Sequence, residues 1–153
     1  MITLSRLRSA SLDELERLFV ETRPLAVPAG CYRGHHLAWT AVGRRSPWRP
    51  LLALAFEHTP FGVDFDRRLW FFWHRRLAAG RFEPRVVPSR WRATDAVGLF
   101  YDSSRLPAPV KGRLYDEVKP LSPNLCLALA GLNRPRGLGD LFFVALERDQ
   151  SGP

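Results

Sequence analysis

From residue 93 to residue 146 the chain alternates short apolar runs with segments rich in Pro, Gly, Asn, Asp and Ser. That rhythm predicts consecutive antiparallel strands joined by turns. In Leu125-Cys126-Leu127-Ala128-Leu129-Ala130 the large side chains fall on every second position, so one face is bulky and the other small. A period of two belongs to a strand. The pattern predicts strands over 97–101, 112–118, 125–130 and 141–146, with a wide turn over 133–140 and a frayed end over 149–153. Residues 82–92 alternate loosely, and Pro84 and Pro88 there suit an edge or bulged strand.

Earlier in the chain the period changes. Ser11-Leu12-Asp13-Glu14 is a capping box, with a hydroxyl at the helix start and a carboxylate three residues on. Leu12, Leu15, Leu18 and Phe19 follow at helical spacing, and the helix must stop before Pro24. Pro50 suits the first turn of a short helix over 50–56, which Thr59-Pro60-Phe61-Gly62 breaks. Asp64 or Asp66 then caps an amphipathic helix over 66–79, with Leu69, Trp70, Phe72, Trp73 and Leu77 on its apolar stripe. The run from Leu69 to Trp73 also reads as a buried strand; the helix is the favoured expectation. Gly30 and Gly34 flank Tyr32 at the start of a further strand, where glycine permits a sharp bend or close approach. An aromatic side chain between them can plug the end of a barrel.

A length of 153 residues, 46% hydrophobic with 12% aromatic, is enough for one core or a small barrel with an internal cavity. No apolar run approaches the roughly 18 residues needed to span a bilayer. The first residues are interrupted by charges and lack a signal-peptide core, so a cytoplasmic protein is expected. Cys31 and Cys126 form no CxxC pair, and Cys126 reads as a small buried hydrophobe. The net charge of +8 invites a nucleic-acid reading. Of the 23 basic residues only Lys111 and Lys119 are lysine, and the 21 arginines are scattered in ones and twos. Without a basic run, a nucleic-acid partner is not expected.

The segment PLAVPAGCYRGHHL after a capped helix resembles the opening of small bacterial lipocalin-like proteins with a GxWxG motif. Here Tyr32 stands where that family usually has Trp. The second half, GLFYDSSRLPAPVKGRLYDEVKPLSPNLCLALAGL followed by LFFVALER, resembles the domain of unknown function that accompanies the motif. The resemblance spans about two-thirds of the chain and fails from about 40 to 80, where the aromatic-rich middle has no counterpart. It implies a calycin-like antiparallel barrel with a helix near its mouth, a shape that holds one small ligand.

Candidate chemistry is sparse. His35 and His36 point to opposite faces of a strand, and no HxH or HExxH pattern supports a metal site. No GxSxG motif, no base for Cys31 and no phosphate loop are present. Two tyrosine–acid groups, Tyr101-Asp102 and Tyr115-Asp116-Glu117, lie on adjacent predicted strands. If Tyr and Asp alternate across the sheet, one of each pair faces inward, and an inward carboxylate is desolvated toward a raised pKa. Alternatively both tyrosines pack inward and the acids pair with outer arginines such as Arg105 and Arg113. Trp91-Arg92 would set an indole in the cavity and a guanidinium at its rim; a partner for Asp102 explains Arg92 as well.

The expectation is an α+β, mostly β chain: one domain over 1–153, with a capped helix and lead-in over 1–28 and a lipocalin-like barrel over 29–148 carrying a helical insertion at about 50–79. It would bind a small apolar or amphipathic molecule without a cofactor or metal. Tyr32, Trp91, Tyr101 and Tyr115 would line or close the site, and Arg92 or His35 would meet a polar head group. An enzyme of isomerase or cyclase type on the same barrel is the alternative, with Asp102, Glu117 and His35 as candidate catalytic groups. The third reading is an interaction module built on the Trp-rich segment.

Overall fold

The computed structural model describes residues 2–24, 26–40, 54, 58–73, 78–132 and 141–149. Two short helices come first, α1 (Leu4–Ser9) and α2 (Leu12–Glu21). The capping box forms as expected: Ser11 Oγ accepts from Glu14 N at 3.2 Å and Glu14 Oε2 accepts from Ser11 N at 2.8 Å. Helix α1 escaped the sequence reading because it is short and its apolar positions are broken by arginines; Thr3 caps it by accepting from Arg6 N. The helix expected over 50–56 lies outside the described residues except for Leu54, and the turn over 133–140 lies outside them altogether.

Among the described residues nine antiparallel strands follow: β1 (Cys31–Trp39), β2 (Phe61–Asp64), β3 (Leu69–Phe72), β4 (Ala78–Arg81), β5 (Glu83–Pro88), β6 (Asp95–Phe100), β7 (Leu114–Ser122), β8 (Leu125–Leu132) and β9 (Leu141–Arg148). A four-residue helix, α3 (Ala108–Lys111), links β6 to β7. The hydrogen-bonded order is β4-β3-β2-β1-β9-β8-β7-β6-β5. Every neighbour in that order is consecutive in sequence except β1 and β9, the first and last strands. Only Phe82 separates β4 from β5. The two act as one strand bent at Phe82, pairing with β3 before the bend and with β6 after it. The result is an up-and-down, nearly closed barrel. Pro84 and Pro88 fall on β5, at the end of the hydrogen-bonded order, where a missing N–H breaks no ladder.

The helix expected over 66–79 is replaced by a hairpin. Asp64 accepts from Arg67 N at 2.9 Å, and Arg68 takes a left-handed φ of 55°, so the chain turns back within four residues. Leu69 to Phe72 then pair with β2, Val63 opposite Trp70 and Phe61 opposite Phe72. An apolar run of five residues fits either period; the sheet edge offered by β2 decides it. At the C-terminus Asp149 N donates to Cys31 O at 2.8 Å, so the ladder continues one residue into the segment expected to fray.

Strands β6 to β9 are buried on both faces. The inner face packs Tyr32, Val97, Leu99, Val118, Phe142, Val144 and Leu146 into the barrel. The outer face carries Leu125, Leu127, Leu129, Leu141 and Phe143, covered by Leu7 of α1 and by Leu15 and Phe19 of α2. Phe19 is fully buried and meets Phe143 edge-on with ring centroids 5.9 Å apart. The amphipathic stripe of α2 thus covers the outside of the barrel. Phe19→Ala is expected to lower unfolding free energy by about 3–5 kcal/mol, read from the urea midpoint.

Candidate functional site

The inner face of β8 is its small face. Cys126, Ala128 and Ala130 point into the barrel and the three leucines point out toward the helices. At one end the interior is filled: Tyr32, Phe65, Phe82 and Tyr101 form a chain of edge-on contacts with centroid separations of 5.6, 5.8 and 6.2 Å. Tyr32 is 2% exposed and its hydroxyl donates to Pro123 O at 3.1 Å. It plugs that end, as expected for an aromatic between the two glycines. Gly34 has a packing reason: a Cβ there would sit 2.0 Å from the Phe61 ring.

Toward the other end the small side chains leave space. A cavity of about 290 Å³ lies among Trp39, Phe61, Trp70, Phe72, Leu114, Ala128, Ala130 and Phe142. That is the lower end of the range of about 300–1,000 Å³ typical of small-molecule sites. Among the described lining residues one ionisable pair interrupts the apolar surface, Tyr101 and Asp116. Leu99 pairs with Asp116 in the β6–β7 ladder, so Tyr101, two residues on, reaches across to it. The Tyr101 hydroxyl donates to Asp116 Oδ2 at 2.5 Å, and Gly131 N donates to Oδ1 at 3.3 Å.

Asp116 is enclosed by the barrel but keeps some surface open to the cavity. Burial pushes its pKa up to about 6; the hydrogen bonds from Tyr101 and Gly131 oppose the rise, and the nearby Glu117 charge adds to it. No described cation pairs with it. Burial, with the Asp116 charge next, holds Tyr101 well above its ordinary pKa, so the phenol stays a donor.

Of the six residues expected to line the ligand site, Tyr101 lines the cavity and Tyr32 closes the filled end. The other four lie outside the barrel wall. Tyr115 packs against Trp91 and Phe100 at 5.1 and 5.3 Å, with the Arg90 guanidinium 3.9 Å above its ring. Trp91 belongs to the layer beneath the helices. Arg92 forms a two-pronged bond with Glu16 of α2, Nε to Oε2 at 2.6 Å and Nη2 to Oε1 at 2.5 Å. His35 sits between Arg8 Nη2 at 3.0 Å and Glu147 Oε2 at 3.5 Å; burial and the Arg8 charge lower its pKa.

The candidate acids are likewise displaced. Asp102 is exposed in the turn after β6, with its carbonyl accepting from Lys111 Nζ at 3.2 Å. Glu117 is fully buried but outside the cavity, accepting from Ser89 Oγ at 2.5 Å and Arg90 N at 2.7 Å. The inward carboxylate is Asp116. Parity held the clue: Leu114 and Val118 share its face, making it the polar residue between two interior positions, whereas Tyr115, Glu117 and Lys119 share the other face. No group of three or more potential metal ligands occurs among the described residues.

A group whose folded pKa lies above its unfolded value makes the native state bind more protons, so stability falls as pH rises through that interval. Asp116 therefore weakens the fold progressively as pH rises from its ordinary value near 3.8 through about 6, above which the penalty is constant. Asp116→Asn is expected to raise Tm at about pH 8 and to leave it nearly unchanged below about pH 4, measured by circular dichroism across the range.

No protein-family model matches the chain, and no curated protein matches it. A crystal structure of a protein from Thermomonospora curvata resembles it with a TM-score of 0.54 and 17% identity, over 92% of this chain and 89% of that one. At that identity the likeness shows a shared fold. The chain is a mostly β protein built as a nine-stranded antiparallel, nearly closed barrel with helices packed on its outer face.

Proposed function

We propose that this barrel binds one small apolar or amphipathic molecule in its cavity, with the ligand's polar atom at Tyr101 and Asp116. The observation that carries the reading is the cavity itself: about 290 Å³ of apolar space into which the Asp116 carboxylate opens, with no cation among the described residues to balance it. Leaving such a group without a purpose costs stability. Burial of the ligand's apolar body supplies affinity, and the dyad supplies orientation. The lipocalin-like resemblance around Gly30, Tyr32 and Gly34 and a cytoplasmic setting belong to the same reading. No helix among the described residues is long and apolar enough to cross a membrane.

A second reading rests on the same dyad. A carboxyl with its pKa pushed to about 6 holds and releases protons near neutral pH, the property a general acid or base needs. An isomerase or cyclase of this kind would use Asp116 as the proton-transfer group and Tyr101 to orient it. Neither Asp102, Glu117 nor His35 lines the cavity. The interaction-module reading is weaker, because Trp70 and Phe72 line the cavity and Leu69 and Phe71 are buried; Trp73 is the exposed ring of that run.

Native mass spectrometry of freshly purified protein, followed by organic extraction, is expected to reveal a stoichiometric apolar passenger. Ala130→Phe fills the space and should reduce uptake of hydrophobic dyes and fatty acids at least about tenfold while the protein stays folded. Wild-type protein that flies empty and ignores those probes would sink the reading. Incubation of the extracted passenger with the protein in D₂O separates binder from enzyme: only proton transfer to carbon incorporates deuterium.

A further inference from the structure

The polar chemistry of the cavity narrows the ligand class, given the reading above that the cavity is a binding site. The hydrogen of the Tyr101 hydroxyl is already given to Asp116 Oδ2. An ionised carboxylate carries no hydrogen of its own. The Gly131 N–H is committed to Asp116 Oδ1. The Trp70 indole nitrogen is buried close to Gly80, with no surface left for a ligand. With Asp116 ionised, the dyad therefore turns only lone pairs toward the cavity, and the ligand must bring the hydrogen.

Charge points the same way. The groups facing Asp116 are Tyr101 beyond the end of β6, Leu99 on β6, and Ala130 and Gly131 on β8. Its own strand adds the negative Glu117 and the cationic Lys119, both on the opposite face; Lys119 is committed to Thr22 O and Thr94 Oγ1. Across the barrel, His36 of β1 packs at a tilt against Trp39 and Phe142 and is not among the residues lining the cavity. No cation among the described residues offsets Asp116. A ligand carboxylate would set two like charges together, and an alcohol would leave the charge unbalanced. A cation balances it, and the aromatic rings of Trp39, Phe61, Trp70, Phe72 and Phe142 tolerate a cation better than aliphatic walls do.

We propose that the cavity takes a small hydrophobic amine, whose ammonium group donates to Asp116 while its apolar body lies among the aromatic rings. The test is isothermal titration of the full chain with matched pairs, 2-phenylethylamine against 2-phenylethanol and octylamine against 1-octanol. At about pH 7.5 each amine should bind at least about tenfold more tightly than its alcohol. Asp116→Asn should erase the preference, with its fold checked by circular dichroism. The same loss should appear in the wild type at about pH 4.5, where Asp116 takes up a proton. Tyr101→Phe, which keeps the carboxylate, should retain the preference for amines. Equal binding within pairs, or a preference that survives both Asp116→Asn and low pH, overturns the amine assignment. Alcohols that bind where amines do not overturn it too, yet leave the binding cavity standing. Failure of all four probes at both pH values removes both.

Discussion

The central sheet region is buried on both sides, and the division of bulk across β8 governs what each side becomes. Leu125, Leu127 and Leu129 project outward and demand a cover, which α1 and α2 provide. Cys126, Ala128 and Ala130 project inward and leave room. A barrel of this size is ordinarily just wide enough for its side chains to fill. Small residues on one inner face turn a packed core into a cavity at one end. The large aromatics Tyr32, Phe65 and Phe82 keep the other end solid.

The outer layer has its own polar fastening, separate from the cavity. Lys119 is fully buried and donates to Thr22 O, the carbonyl at the C-terminal cap of α2, at 2.5 Å, and to Thr94 Oγ1 at 2.8 Å. A cation there meets the negative end of the helix and satisfies a carbonyl that the helix leaves unpaired. Thr94 in turn donates to Val20 O, and Arg92 grips Glu16. Glu117 holds the turn after β5 through Ser89 and Arg90. These contacts fix α2 and the β5–β6 turn on the sheet. They also explain why a loop with Trp91 and Arg92, chemically well suited to a ligand, serves the wall instead.

Two ionisable networks therefore sit back to back across β7. One, at Glu117 and Lys119, is satisfied by protein groups. The other, at Asp116, has donors for each oxygen but no balancing charge among the described residues. Neighbouring residues on one strand meet different dielectric surroundings because successive side chains point to opposite faces.

Much of the architecture was legible in the chain. The capping box at Ser11 and Glu14 specified α2 because its partners are three residues apart. The alternation of 125–130 specified a two-faced strand, and Tyr32 between Gly30 and Gly34 marked a plugged end. Local pattern settles such features because local contacts carry them. What it left open were choices made by distant partners. The run from Leu69 to Phe72 became a strand because β2 lay beside it. The sequence supplied two opposite faces for β7 and, through Leu114 and Val118, a clue to the inner one, but the barrel's closure decided which groups met across it. Asp116 therefore lines the cavity, and Asp102 and Glu117 do not, because a side chain's solvent and charge environment is a property of the assembled fold.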